Sequence, residues 1–191
     1  MRVLRSVDHK RMPWKNGKGE TVEIAVSPPA PGATVDNFDW RISMATVAED
    51  GPFSVFGGID RTLSVLTGEG ITLSVAGHAP TTLRRETPPY GFPADRETSA
   101  TLVSGPITDL NVMSRRGAFT HAVERVVTQK LALQPSAVMR IVLTLNDVSV
   151  MREDIRLQPL DALFLEAGET ARLSSASPAT IYVVQIEGIN T

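Results

Sequence analysis

The sequence predicts an all-β protein, and three observations carry that prediction. Apolar residues recur with period two along most of the chain, as in half-buried strands. The runs are short and are bounded by Gly, Pro, Asn and Asp, the residues of tight turns. No window carries the i, i+3, i+4 stripe of an amphipathic helix. Many short strands with frequent turns indicate a sandwich or barrel.

The elements follow in chain order. Val22, Ile24 and Val26 alternate with Glu23 and Ala25. Phe38, Trp40, Ile42 and Met44 share one strand face, and Asp39, Arg41, Ser43 and Ala45 share the other. The aromatic face is expected to pack between sheets, so Arg41 and Ser43 face either solvent or a cavity. Leu63 and Val65 precede "TGEG", and Ile71, Leu73 and Val75 follow it, which predicts a hairpin around a glycine turn. Phe119, His121, Val123, Arg125 and Val127 share a strand face. Ile141, Leu143 and Leu145 run into Asn146-Asp147 and then Val148 and Val150, a second expected hairpin. Ala162 with Phe164, Ala171 with Leu173, and Tyr182, Val184 and Ile186 complete the pattern.

Composition narrows the function classes. A chain of 191 residues makes one large domain or two small ones. It can bury about 70% of its unfolded surface without a covalent staple. Only 5% of residues are aromatic, so the core must rest on Val, Leu and Ile. A net charge of −2 lacks the basic footprint of a nucleic-acid binder. The absence of cysteine excludes a disulfide frame, a thiolate zinc site and a cysteine nucleophile. The start "MRVLRSVDHKRM" has no apolar h-region, and no run approaches about 18 apolar residues. The expected location is therefore the cytoplasm, with no membrane partner.

A weak internal repeat relates Leu63–Val75 to Arg140–Val150. The second copy leads into "LQPLDALFLEAGETARL", which resembles the strand pair of a cupin jelly roll. Two such units imply a bicupin, with an N-terminal unit over residues 1–117 and a C-terminal unit over 118–191, a pairing that allows strands to be exchanged between them. The first half carries a closer resemblance. "MPWKNGKGETVEIA", "FDWRISMATVAEDGPFSVFGGIDRTLSVLTGEG" and "GPITDLNVMSRR" together resemble the HutD/Ves family across nearly the whole chain. Small departures fall at Gly57 and Ala94, both in loops. Members of that family sit in or near histidine-utilization operons or are named as stress-induced proteins. The resemblance implies a pocket, and no proven reaction.

Several chemistries can be tested on the residues. His9, His78 and His121 are far apart, and none stands in an H-x-H pair. A catalytic transition metal needs about three N or O protein ligands, so no metal site and no cofactor are expected. "NGKGET" lacks the spacing of a phosphate loop and precedes a strand. No G-x-S-x-G elbow is present.

A polar barrel mouth remains. Arg41 and Arg61 could clamp a carboxylate through their planar forks, with Ser43 beside them. Asp109 and Asn111 share a face with Met113, an odd neighbour for a solvent face and a natural one for a pocket wall. In "WKNGKGE", Trp14 is expected as an apolar wall or lid, Lys15 and Asn16 as a charge and an amide, and Gly17 and Gly19 as points of close backbone approach. The expected function is metal-independent binding of a small carboxylate, urocanate or formylglutamate by family context, in a protein that moderates histidine utilization. The alternative is a metal-independent enzyme of isomerase or lyase type on a small acidic metabolite. Exposed jelly-roll edges allow a homodimer.

Overall fold

Period-two alternation becomes seventeen strands, with no α-helix among the described residues. The structure is a computed structural model and describes residues 1–14, 19–28 and 37–189. Strand β1 (Arg2–Leu4) leads into a single 3-10 turn, Ser6–Asp8. Next come β2 (Lys10–Pro13), β3 (Gly19–Ser27), β4 (Trp40–Val47), β5 (Gly51–Pro52) and β6 (Ile59–Thr67). β7 (Ile71–Val75), β8 (Thr81–Leu83), β9 (Tyr90–Pro93), β10 (Thr98–Leu102) and β11 (Ile107–Arg115) follow. The remainder is β12 (Phe119–Leu133), β13 (Met139–Thr144), β14 (Val148–Val150), β15 (Ile155–Leu157), β16 (Ala162–Leu165) and β17 (Ala171–Gly188). No helix among the described residues is long and apolar enough to cross a membrane.

Two compact units result. One joins Met1–His9 to His121–Gly188, and the other is built on Lys10–Thr120. In the first, the sheet runs β1-β16-β13-β17-β14-β15, with β12 paired to β17. Its core gathers Val142, Leu163, Leu165, Leu173, Ile181 and Val183. β1 enters this sheet because Arg2, Val3 and Leu4 pair antiparallel with Phe164, Leu163 and Ala162.

The unit on Lys10–Thr120 has a six-stranded sheet, β2-β3-β4-β11-β6-β9, and a four-stranded sheet, β5-β10-β7-β8. Val47, Leu63 and Val65 from the first pack with Ile71, Leu73 and Leu83 from the second, so the core lies between the sheets. Burying each Leu or Ile there contributes about 1.5–3 kcal/mol.

Three expectations are corrected here. Leu63–Val75 is not a hairpin: β6 pairs with β11 and β9, which occupy both of its edges, while β7 pairs with β10 and β8. The glycine turn carries the chain from one sheet to the other. The second expected hairpin fails too, since β13 and β14 pair with different stretches of β17, Ile181–Ile186 and Leu173–Ser174, and not with each other. The faces of β4 are also reversed. Arg41, Ser43, Ala45 and Val47 turn inward between the sheets, and Trp40, Ile42 and Met44 are buried on the other face. Because both faces are buried, hydrophobicity alone could not say which one encloses a cavity.

Candidate functional site

The register of three neighbouring strands builds the site. Met113 on β11 pairs with Arg41 on β4 and with Arg61 on β6, so both guanidines flank one position. One step along, Asn111 pairs with Ser43 and Leu63; one further, Asp109 pairs with Ala45 and Val65. Side chains two residues apart share a face, so these rows all point inward. They floor a cavity of about 680 Å³, which is walled by Trp14, Thr21 and the Glu49–Ser54 segment. That volume is in the range of small-molecule pockets.

The floor is charged and buried. Arg61 is only 7% exposed. Its Nε donates to Asn111 Oδ1 at 2.8 Å, and its Nη2 donates to the same oxygen. The guanidinium carbon stands 4.5 Å from the Phe53 ring centroid and 5.7 Å from that of Phe92, a cation–π arrangement that offsets part of the desolvation. Asn111 passes the chain on: its Nδ2 donates to Asp109 Oδ1 at 2.6 Å. Asp109 is 0% exposed, and its Oδ2 has no hydrogen-bond partner among the described residues. Burial pushes its carboxyl up to about 6, although Arg61 and the Asn111 bond pull the other way. Burial likewise lowers Arg61 to about 10, with Asp109 opposing and Arg41 reinforcing the shift. Arg41, also buried, gives its Nε–H to Glu23 Oε2 at 2.9 Å.

Trp14 meets the start of β3 through two bonds. Its backbone N–H reaches the Gly19 carbonyl at 2.9 Å, and its indole Nε1 reaches Thr21 Oγ1 at 2.8 Å. Gly19 permits this approach: a Cβ there would lie 2.9 Å from the indole and would strike the Thr46 carbonyl. One tryptophan thus stands beside the polar "KNGKGE" run because its ring walls the cavity.

Of the residues singled out from sequence, Trp14, Arg41, Ser43, Arg61, Asp109, Asn111 and Met113 line this one cavity. Gly19 lies against Trp14 instead of in the lining. Lys15, Asn16 and Gly17 fall outside the described residues. Sequence reasoning missed Met12, Phe53 and Phe56, which add apolar wall, and Glu23 as the partner of Arg41. The signal for the phenylalanines was two aromatic residues in a Gly- and Pro-bounded loop, "GPFSVFGG". Among the described residues, no group of three or more His, Cys, Asp or Glu is placed to hold a metal ion. The arrangement offers two cations and a buried carboxyl beneath apolar walls, which suits a small anion with a flat or apolar body.

Comparison with known proteins agrees with this architecture. The chain is 38% identical over 113 residues to an uncharacterized 21.2 kDa protein in the hutC 3' region of Pseudomonas putida, covering 59% of this chain and 57% of that protein. It is 40% identical over 113 residues to protein Ves of Citrobacter koseri, covering 57% and 56%. The chain therefore matches somewhat over half the length of these curated relatives. HutD from Pseudomonas fluorescens SBW25, solved in a formate condition, superposes with a TM-score of 0.83 at 28% identity and covers 99% of each chain. A cupin 2 conserved barrel domain protein from Leptotrichia buccalis shares the fold at a TM-score of 0.61 and 8% identity, covering 96% of this chain and 100% of that one. The fold is accordingly all-β and cupin-like. The sequence model of the HutD family matches residues 6–183, and the chain belongs to that family.

Proposed function

We propose that the protein binds a small carboxylate metabolite in this cavity, without a metal, and in doing so moderates histidine utilization. One observation carries the reading: Arg41 and Arg61 flank a single position of β11, both buried, at the floor of a cavity with apolar walls. Two buried cations are costly unless charge meets them. Glu23 meets Arg41, and Asp109 reaches Arg61 only through an amide. A ligand carboxylate completes the balance through charge-assisted bonds to guanidinium. The kinship with a hutC-region protein and with HutD supports a tie to histidine utilization. Urocanate and formylglutamate are the candidate ligands; the planar urocanate also suits the indole of Trp14.

A thermal-shift series over urocanate, formylglutamate, histidine and glutamate tests the reading. A ligand at 100 times its Kd stabilises by about 2.7 kcal/mol, a rise of about 5–10 °C in a chain of this length. Arg41→Ala removes a charge-assisted contact of about 1.5–3 kcal/mol and leaves Glu23 facing the ligand without its partner. The variant should fold and lose most of the shift. No shift in the wild type, or an equal shift in the variant, would overturn the proposal.

A second reading, a proton-transfer enzyme of isomerase or lyase type, draws on Asp109. A carboxyl pushed up to about 6 works in the range of general acid–base groups. Incubating the same compounds with the protein in D2O separates the readings. Product or deuterium incorporation by NMR supports the enzyme, and unchanged ligand supports binding alone.

A further inference from the structure

We propose that anion capture in this cavity is proton-coupled, with Asp109 as the positioning residue that takes up the proton and acts on the ligand through Asn111 and Arg61. The inference rests on the reading of the cavity as a carboxylate site and adds how that site is regulated.

The geometry supplies the coupling. Asp109 is fully buried at the cavity floor and is joined to Arg61 through Asn111. Its Oδ1 accepts from Asn111 Nδ2, which sets the amide with its oxygen towards Arg61. That oxygen holds the guanidinium by two of its donors. Asp109 Oδ2 is left without a hydrogen-bond partner among the described residues. Full burial raises the acid's pKa, because desolvation penalises the charge more than Arg61, Asn111 and the nearby backbone N–H groups of Ala45 and Asp109 relieve it.

The charged groups around Asp109 can be followed strand by strand. Arg61 stands on β6 and Arg41 on β4; Glu23 on β3 is bound to Arg41. Glu49 and Asp50 belong to the exposed part of the cavity lining. Without a ligand near pH 7, an acid held at about 6 is mostly ionised and offsets the Arg61 charge in part, across the Asn111 amide. A bound carboxylate takes over that role. Two negative charges then share one buried cation, and like charges in a dry site raise the pKa of the one that can accept a proton. Arg61, at about 10, stays charged throughout. The sign follows from linkage: a site that takes up a proton on binding holds its ligand more tightly as pH falls.

Isothermal calorimetry with formylglutamate and with glutarate tests this, since neither titrates between pH 6 and 8. Wild-type protein should take up a fraction of a proton at pH 7, measured from the heats in two buffers of different ionisation enthalpy. Its Kd should weaken with rising pH by up to about tenfold per unit. Asp109→Asn keeps the shape and stands in for the protonated acid. It should bind with an affinity near that of wild type at pH 6, take up no proton and show no pH slope. A purely structural role for Asp109 predicts the same slope in both proteins, and that result overturns the proposal. Wild-type binding with no proton uptake and a flat pH profile also overturns it while leaving the carboxylate site intact. Absence of any binding removes the reading of the cavity itself. Infrared difference spectra of the wild type need no variant: ligand should add a protonated-carboxyl band, and its absence counts against the proposal.

Discussion

Asp161 ties the first residues of the chain to the turn before β16, and its replacement gives a sharp test of how that unit is held. The carboxylate is 2% exposed. Its Oδ1 accepts from the Ser6 backbone N–H at 2.8 Å, and its Oδ2 accepts from the Gln158 N–H at 3.0 Å and from Arg5 Nη1 at 2.7 Å. Hydrogen bonds to a charged group contribute about 1.5–3 kcal/mol each. The Arg5 side chain is 42% exposed, so water screens that ion pair and it adds at most about 1 kcal/mol. Two backbone bonds and a discounted pair give a loss of about 3–7 kcal/mol for Asp161→Ala, the lower part of which matches the cost of breaking a buried charged network. Asp161→Asn keeps one acceptor oxygen but turns an NH2 group towards existing donors, so its cost falls between. The pH dependence is also determined. Burial pushes the carboxyl up, but the bonds from Ser6, Gln158 and Arg5 outweigh it and hold it below its ordinary value. Its stabilisation is therefore present above the unfolded value near 4 and is lost as pH falls through the lower folded one. Urea unfolding of wild type and Asp161→Ala should show a constant gap from about pH 5 to 8 that closes in stronger acid. Equal midpoints at pH 7, or a gap that persists below the folded pKa, would refute the reasoning.

Two glycines extend the test to the backbone. Gly168 sits at φ +84° with open space where a Cβ would stand. Gly168→Val should therefore cost about 1–3 kcal/mol through strain alone, and Gly168→Asn should cost less; a Val variant with the wild-type urea midpoint would contradict this. Gly19→Ala forces a methyl group against the Trp14 ring and the Thr46 carbonyl. It should cost about 1–3 kcal/mol and shift the tryptophan fluorescence as the indole leaves Thr21, and an unchanged spectrum and melting temperature would show that the wall is not packed as described.

The parts of the site that could be read from sequence are those set by local alternation. Asp109, Asn111 and Met113 had to share a face, and a methionine on a polar face pointed away from solvent. The same rule put Arg41 beside Ser43. What could not be read depends on partners remote in sequence. The bond from Arg61 to Asn111 joins residues 50 apart and exists only because β6 and β11 pair in one register. Turn chemistry has the same limit. "TGEG" reverses the chain, yet β6 already has two neighbours, so the reversal becomes a crossing between sheets. Burial adds a second ambiguity. Trp40 and Arg41 are 7% and 6% exposed on opposite faces of one strand, so no hydrophobic pattern could say which face meets a cavity. Phe53 and Phe56 lie in a loop without periodicity, and only the fold brings them to the wall that Trp14 begins. A buried arginine was nonetheless the informative residue. Arginine is seldom buried without a partner, so a strand that places one on an inward face implies either a carboxylate of its own or a ligand that brings one. Glu23 is that partner for Arg41, whereas Arg61 meets an amide and reaches its carboxylate only at second hand. That incomplete charge balance is why the proposed carboxylate site is centred on the floor around Arg61.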